Sequence, residues 1–425
     1  MCPDDCGSGI LFSGQRADGN SEVWRRNMIR LFLNALGASA GGGLTYIRNV
    51  LPSLARRDDV RTTVLVGGAL RDQIEESSRI IVLRTDSPST AGRRFWYEQR
   101  RLPSLIRNSD ADVLLSAGNF ALYRSPVPQI LLSGNALYTS SDFLRDLRNR
   151  GDYRLWLDTE LRGIFARSSV RAADCTVAPS AAFASELRQW TGRDVVSVHH
   201  GFNPAIFFRD QSPLPQEAEA RFAKTEGSLR LLFVSHFNYY RNFETLIRAA
   251  AILKRELHPR TVRLIQTCKL NSNDISGNDK PENANPGSYN PHATAELVRR
   301  LRLEEEVVEL GAVPYASLHH LYRACDLYVT PAYVETFAHP LVEAMASGLP
   351  VVASDLAVHK EICGEAARYF PRFSPEKLAE IVIRVTRSKE QSAAMREIGR
   401  LRSRDFSWDK HVDQLLQLAG GLVGT

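Results

Sequence analysis

Residues 331–353 read PAYVETFAHPLVEAMASGLPVVA and carry the most informative pattern in the chain. The preceding apolar run predicts a strand that ends at Pro331, and the pattern after Pro340 predicts a helix. Proline is tolerated in the first turn of a helix, because its missing N–H would have no helical partner there. Glu335 therefore falls in the loop, and Glu343 falls one turn into the helix. Two carboxylates at this spacing can each bind a diol, one on a sugar and one on a ribose.

Strands and helices alternate on both sides of this stretch. Strands are predicted at 29–35, 62–66, 80–83, 113–115, 129–132, 175–178 and 195–198, and again at 229–234, 262–267, 307–310, 327–330 and 351–353. Helical patterns lie between them, among others at 94–107, 142–172, 243–257 and 340–346, and a polar inserted loop is expected at 270–291. Such alternation is typical of parallel sheets with helices on both faces. The sequence therefore predicts an α/β protein of two Rossmann-like doubly wound domains that face each other across a cleft.

The polar segment 209–227 separates the two alternating series and is interpreted as the interdomain linker. Residues 28–208 then form the N-terminal domain, and residues 228–407 form the C-terminal domain. Residues 1–27 lack apolar periodicity and are expected to be disordered. The last segment, 408–425, is predicted to be a helix that packs back toward the first domain.

The two glutamates lie within a recognisable string. Glu335, seven intervening residues and Glu343 resemble the paired-glutamate motif of retaining glycosyltransferases with the GT-B fold, and the surrounding residues are similar to family 4 of these enzymes (glycosyl transferases group 1). The agreeing residues are Glu335, Phe337, Pro340, Glu343, Ala344, Met345, Ala346, Gly348, Pro350 and Val351. The resemblance implies a GT-B fold and the transfer of a sugar, with retention of configuration, from a nucleotide-diphosphate sugar to a hydroxyl acceptor.

The resemblance also implies roles for residues in this motif. Glu343 would bind the ribose hydroxyls of the donor, and Glu335 would act as a catalytic residue that contacts the transferred sugar. Thr336, Phe337 and Ala338 would contact the donor, in part through backbone amides at the start of the helix. The family usually has glycine at positions 336 and 338, so these two side chains narrow the space around the sugar.

A second match lies at residues 231–246, where a strand of the second domain leads into a helix. Relatives usually carry an arginine and a lysine here that hold the donor diphosphate. In this chain His236 replaces the arginine, Arg241 replaces the lysine, and Asn242 is retained. Arg241 can bind a diphosphate in a bidentate manner, whereas the charge of His236 depends on pH. The match implies catalytic roles for His236 and Arg241 and a donor contact for Asn242.

Three further segments resemble the family around the expected cleft. The triplet Gly41-Gly42-Gly43 is similar to the glycine loop that closes over the donor phosphates, so Gly42 and Gly43 are candidate donor contacts. Asn135 stands where the family often has a cleft-facing histidine, and His200 lies in the turn that ends the first domain. Both are candidate contacts of the acceptor or the sugar, although a structural role fits His200 equally well.

The segment Asp110-Ala111-Asp112 matches the Asp-x-Asp motif with which the other major glycosyltransferase fold binds metal. Here the motif directly precedes a predicted strand and fits a turn. The two cationic side chains of the second match would neutralise the leaving diphosphate. No metal ion and no other cofactor is therefore expected.

Charge is distributed unevenly along the chain. The net charge is +6, and the first 200 residues hold 26 Arg, no Lys and 21 acidic residues. Such a basic surface suits anionic lipid, nucleic acid or phosphorylated substrates, and a solvated helix face is the simpler interpretation. Together with the resemblance, it predicts a UDP- or GDP-sugar donor, a glycan or lipid-linked acceptor and contact with an anionic membrane, but no nucleic-acid partner.

Neither a secretory pattern nor an apolar run near the roughly 20 residues of a membrane-spanning helix is present. A cytoplasmic location is therefore expected, either free or at the inner face of the membrane. The family resemblance further implies a role in polysaccharide biosynthesis. Two other function classes stay open. An epimerase or phosphorylase on the same fold would keep the nucleotide or phosphate site, and a degraded transferase would bind a nucleotide sugar without turning it over.

Overall fold

The computed structural model describes residues 28–38, 41–86, 88, 90–270 and 289–424. The predicted tail at 1–27 lies outside these ranges, as does most of the inserted loop predicted at 270–291.

Two parallel sheets organise the described residues. The strands of the first are β1 (Ile29–Asn34), β2 (Val60–Val66), β3 (Ile80–Arg84), β4 (Val113–Ser116), β5 (Gln129–Leu132), β6 (Cys175–Ala178) and β7 (Val196–Ser197). Those of the second are β8 (Leu229–Phe233), β9 (Val262–Gln266), β10 (Val307–Glu309), β11 (Leu327–Thr330), β12 (Val351–Ser354) and β13 (Ala367–Phe370). The orders are β3-β2-β1-β4-β5-β6-β7 and β10-β9-β8-β11-β12-β13. The predicted α/β fold of two doubly wound, Rossmann-like domains is confirmed.

Helices connect the strands and cover the sheets. In the first domain they are α1 (Gly41–Ala55), α2 (Ala91–Asn108), α3 (Ser141–Asn149), α4 (Tyr153–Ala172) and α5 (Ala181–Thr191). Those that follow are α6 (Pro204–Phe207), α7 (Gln216–Ala223), α8 (Phe243–Glu256), α9 (His292–Arg300), α10 (Leu318–Ala324), α11 (His339–Ala346), α12 (Ala357–Cys363), α13 (Pro375–Arg387), α14 (Lys389–Ser403) and α15 (Trp408–Val423).

Strand β1 shows why both faces of the first sheet need helices. Its side chains alternate between two cores: Leu31 and Leu33 pack with α1 and α15, whereas Phe32 packs with α2. All three side chains are buried. A strand that is buried on both faces is apolar at consecutive positions, which explains the continuous apolar run in the sequence.

The C-terminal helix α15 leaves the second domain and packs on the first. Its residues Val412, Leu415 and Leu416 belong to the same core as β1 and α1. The predicted linker 209–227 contains the helix α7, which packs on the second domain through the buried Ala218.

One prediction of secondary structure was wrong, and two elements had no prediction. The single helix predicted over 142–172 is divided into α3 and α4, because Gly151 adopts a left-handed backbone with φ 72° and Asp152 begins a new helix by accepting a hydrogen bond from Leu155 N at 3.2 Å. Helix α12 and strand β13 were not predicted at all. The four residues of β13 include Arg368 and Tyr369, which are partly exposed, so no buried apolar run marks this edge strand.

The carboxyl-terminal edges of the two sheets face each other, and hydrogen bonds join the loops there. Ser180 Oγ donates to Thr336 O at 2.7 Å, and the Tyr333 hydroxyl donates to Asp146 Oδ2 at 2.6 Å. Glu361 of the second domain accepts from two backbone N–H groups at the start of α5, each at 2.7 Å. A carboxylate at the start of a helix satisfies N–H groups that lack helical partners, so α5 is capped from the opposite domain.

Gly201 lies where the first domain meets α15, and a Cβ atom at this position would collide with the backbone of Trp408. We expect Gly201→Ala to lower the free energy of unfolding by about 1–3 kcal/mol, because two backbone segments must separate. Gly421→Ala is the matched control, since Gly421 lies in the same helix with open space around it. The control should be neutral or stabilise by up to about 1 kcal/mol. Equal denaturant midpoints for the two variants would contradict this packing.

Candidate functional site

The two sequence motifs lie in loops that follow neighbouring strands. In the second sheet the chain winds outward in opposite directions from β8 and β11, which lie side by side. The loops after these strands, residues 234–242 and 331–338, therefore border the point of reversal where open α/β sheets bind ligands. A backbone hydrogen bond from Tyr333 N to Tyr240 O at 3.0 Å joins the two loops.

Asn242 fixes the geometry of this junction. Its backbone is left-handed, with φ 57°, and its buried side-chain amide donates to Pro331 O at 3.1 Å and to Arg372 O at 2.7 Å. Both amide hydrogens are used in this way, and they satisfy carbonyls that have left the strands. The structure thus gives Asn242 a positioning role, and its donor contact stays a prediction.

Arg241 and Glu335 form a buried ion pair between the two loops. Arg241 Nη1 lies 2.6 Å from Glu335 Oε2, and Glu335 Oε1 accepts a hydrogen bond from Thr336 N at 3.0 Å. Burial by itself raises the pKa of Glu335, but the charge of Arg241 and the Thr336 N–H outweigh it, so the pKa lies below its ordinary value. Arg241 Nε is buried and has no hydrogen-bond partner within the described residues. The guanidinium therefore keeps one buried N–H group without an acceptor in the described part of the chain.

The residues after Glu335 form the turn into α11. The Thr336 N–H is occupied by Glu335, and Thr336 O accepts from the first domain. The side chain of Phe337 is buried, with its ring centroid 5.3 Å from that of His200 and 5.5 Å from that of Phe406. Ala338 adopts a left-handed backbone, with φ 65° and ψ 63°. This conformation favours glycine, which is the residue that relatives usually have at this position.

Glu343 lies on α11 and is buried. Its Oε2 accepts a hydrogen bond from the Tyr322 hydroxyl at 2.8 Å. Burial raises the pKa of Glu343 to about 7, although the hydroxyls of Tyr322 and Tyr315 act in the opposite direction. The carboxylate therefore titrates near neutral pH, which makes any hydrogen bond that it accepts from a ligand dependent on pH.

His236 lies on the exposed side of the loop after β8. The Ser235 hydroxyl donates to the backbone carbonyl of His236 at 2.7 Å. The structure brings Glu335 into direct contact with both Arg241 and Thr336, and it places His236 in the same loop as Arg241.

Candidate residues of the first domain lie in several elements. Asn135 Oδ1 accepts from Leu137 N at 3.1 Å and so caps a short turn. The preceding carbonyl, Gly134 O, lies 3.5 Å from Thr336 Oγ1, which places this turn against the loop 331–338. Gly42 and Gly43 lie in the first turn of α1. A Cβ atom at Gly43 would lie 3.1 Å from the backbone of Ala38, so glycine there permits a close approach of the chain.

His200 lies in a cluster of aromatic rings that was not predicted from the sequence. Its Nδ1 is 3.2 Å from His339 Nε2, and its ring packs on the rings of Tyr46, His339 and Trp408. The Tyr46 hydroxyl in turn lies 2.9 Å from His411 Nε2. Burial lowers the pKa of His339 and of His411 to about 4 and holds the pKa of His200 well below its usual value. The cluster is therefore uncharged at neutral pH and joins α1, α11 and α15.

The Asp-x-Asp segment lies away from this site. Asp112 accepts hydrogen bonds from Arg30 N at 2.9 Å and from Arg30 Nη2 at 2.5 Å, at the amino-terminal ends of β1 and β4. Asp110 has a left-handed backbone with φ 49°, as the predicted turn requires. Ligands of α/β sheets bind at the opposite, carboxyl-terminal edge. The hydrogen bonds of Asp112 therefore stabilise the sheet at the edge away from the candidate site.

Two family profiles match the chain, one on each domain. The profile described as Glycosyltransferase Family 4 matches residues 40–206, and the profile described as Glycosyl transferases group 1 matches residues 216–402. The second match contains both motif loops.

Curated relatives match part of the chain. A D-inositol 3-phosphate glycosyltransferase from Nocardia farcinica is 30% identical over 195 residues, which are 46% of this chain and 40% of that protein. One from Kineococcus radiotolerans is 34% identical over 198 residues, which are 45% of this chain and 42% of that protein. The chain thus spans less than half the length of these relatives.

Solved structures resemble nearly the whole chain. Sucrose-phosphate synthase from Thermosynechococcus elongatus has a TM-score of 0.72 at 18% identity, over 93% of this chain and 99% of that one. Anabaena HepE in complex with UDP has a TM-score of 0.65 at 18% identity, over 93% and 100%. At such identities the likeness concerns the fold alone. With a profile matched on each domain and the fold shared, this chain belongs to the GT-B glycosyltransferases of group 1, family 4.

Proposed function

We propose that the chain transfers a sugar, with retention of configuration, from a nucleoside-diphosphate sugar to a hydroxyl acceptor. The observation that supports this most strongly is the buried pair of Arg241 and Glu335 at the point where the winding of the second sheet reverses. It sets a cation and a carboxylate side by side where the diphosphate and the sugar of such a donor would meet.

Each part of the donor has a suitable partner in this scheme. Arg241 and His236 bind the diphosphate through their positive charge. Glu343 accepts hydrogen bonds from the ribose hydroxyls, and Glu335 accepts them from hydroxyls of the sugar. The neighbouring structures that contain UDP and UDP-glucose support a UDP-sugar, and a GDP-sugar is the second donor to test.

The chemistry requires stabilisation of the leaving group and alignment of the reactants. The bond between the anomeric carbon and the diphosphate oxygen breaks, the acceptor oxygen bonds to the same face of that carbon, and the acceptor proton passes to the leaving phosphate. Positive charge stabilises the departing diphosphate. In this proposal Arg241 and His236 supply that charge, and no metal ion is required. The first domain holds the acceptor, which is a glycan, a lipid-linked sugar or a small molecule, with the turn at Asn135 facing the donor loop.

Replacement of Glu343 and of Glu335 should affect different steps, the first nucleotide binding and the second turnover. Glu343→Gln should weaken nucleotide binding, and Glu335→Gln should mainly lower turnover, each by about tenfold to a hundredfold, since a hydrogen bond to a charged group is lost. Calorimetric titration with UDP and GDP, together with a nucleotide-release assay, separates the effects. Glu365→Gln, an exposed glutamate of the same domain, is the control. Wild-type binding and turnover in both variants would refute the site.

The ion pair itself can be tested through stability. Arg241→Met should cost about 3–5 kcal/mol in free energy of unfolding, because Glu335 is left charged and buried without its partner. Adding Glu335→Gln to this variant should recover part of that loss. Denaturant titration of the two single variants and the double variant provides the measurement. Strictly additive losses would show that the two side chains are not coupled.

The activity should depend on pH through two groups. Because the pKa of Glu343 is about 7, its ionised, hydrogen-bond-accepting form increases as pH rises through neutrality, and nucleotide affinity should rise with it. Glu343→Gln should remove that rise. His236 loses its charge as pH rises, so turnover at saturating donor should fall on the alkaline side, and His236→Arg should flatten this fall. An unchanged alkaline profile in His236→Arg would assign the diphosphate charge to Arg241 alone.

A further inference from the structure

Helix α4 has its small residues inside and its large apolar residues outside. The buried positions are Thr159, Gly163, Ala166, Ser169 and Val170. The exposed positions are Tyr153, Leu157, Leu161, Ile164 and Phe165, with Tyr153 65% and Ile164 64% exposed. The spacing of the exposed residues places them on one side of the helix. A helix that covers a core normally has the opposite arrangement, so the packing of this domain does not explain these side chains.

Aromatic contacts extend this surface to the start of α2. The ring of Phe95 lies 5.5 Å from that of Phe165, 5.6 Å from that of Trp96 and 5.9 Å from that of Tyr123. Trp96 is 58% exposed. Together α4, Trp96 and Tyr123 hold seven of the thirteen large apolar side chains that are exposed in the described ranges. Apolar side chains gathered in one place usually mark a binding surface; we call this one the α4 face.

Arginines border the α4 face. Arg93 and Arg100 lie one turn before and one turn after Trp96 on α2, and both are exposed. Arg154 and Arg171 are exposed near the two ends of α4. The acidic residues of α4 lie at the edges of the exposed side, and one of them, Asp158, is paired with Arg162 at 2.8 Å.

We propose that the α4 face docks on a lipid bilayer that contains anionic lipids. Leucine, isoleucine and tryptophan side chains that enter the headgroup region, with arginines beside them for the phosphates, are the combination by which a helix binds in the plane of a membrane. A second copy of the chain, applied through the same face, would set these arginines against one another. No helix within the described residues is long and apolar enough to cross a bilayer.

The α4 face begins beside the junction of the two domains. Arg150, just before α4, lies 3.0 Å from Glu244 of the second domain, and its guanidinium lies 4.4 Å from the ring centroid of Tyr239. Docking would therefore hold the junction of the two domains near the bilayer. If the chain transfers a sugar to a hydroxyl acceptor as proposed, this position favours a lipid-linked acceptor. The docking itself does not depend on the proposed transfer.

Co-sedimentation of the full chain with vesicles tests the proposal. The chain should bind vesicles in which a third of the phosphatidylcholine is replaced by phosphatidylglycerol, and it should bind pure phosphatidylcholine much more weakly. Leu161→Gln/Ile164→Gln should weaken binding by at least about tenfold, since two exposed aliphatic side chains that would enter the bilayer are lost. Arg93→Gln/Arg154→Gln should weaken it by about tenfold at low salt and much less at high salt.

The matched control is Ile398→Gln/Leu401→Gln on α14, a pair with the same spacing and with exposed fractions of 40% and 52%. It should bind vesicles like the wild type. Equal loss in the control pair, or no binding to anionic vesicles at low salt, would overturn the proposal. So would a dimer in light scattering that Leu161→Gln/Ile164→Gln dissociates while vesicle binding persists. UDP titration and the melting temperature should be unchanged in all these variants, which separates a failure of docking from a failure of the donor site.

Discussion

The ion pair between Arg241 and Glu335 is the interaction on which the arrangement of the loops after β8 and β11 depends. Removing a guanidinium and a carboxylate from water costs several kcal/mol for each charge, and the cost is recovered only when the two groups bind each other closely. At 2.6 Å they do so, and the loops after β8 and β11 must keep their relative position. Asn242 holds the same two loops through the carbonyls of Pro331 and Arg372. A charged pair and an amide thus define the place where sugar and diphosphate would meet.

The junction of the two domains combines polar caps with packed rings. Glu361 caps α5 from the opposite domain and also lies 2.6 Å from His199 Nε2. Beside it, His200 and His339 pack as neutral rings, because burial keeps their pKa values low. The ion pair of Arg241 and Glu335 and the cap by Glu361 are charged, whereas the contact that joins α1, α11 and α15 is uncharged.

Helix α4 shows how a fold can leave large apolar residues free for another purpose. Gly163 and Ala166 let the helix approach the rest of the first domain closely, so little of its apolar area is needed for that contact. The outward side chains contribute little to the domain's own core. Their position next to exposed arginines is accounted for by a partner outside the chain, and the charge of the first 200 residues is consistent with an anionic one.

The sequence by itself determined the two parallel sheets, since consecutive apolar residues in strands such as β1 report burial on both faces. It also determined that Arg241 and Glu335 lie in loops that follow strands of the second domain and that Glu343 lies on the next helix, because motif spacing and the succession of elements along the chain are local properties. Only the tertiary structure decided that Asn242 binds backbone carbonyls, that Ala338 adopts a left-handed backbone, and that Tyr46 meets His411, 365 positions away. The reason is physical: periodicity predicts whether a side chain is buried, but the partner that satisfies a buried polar group comes from whichever segment the fold brings beside it.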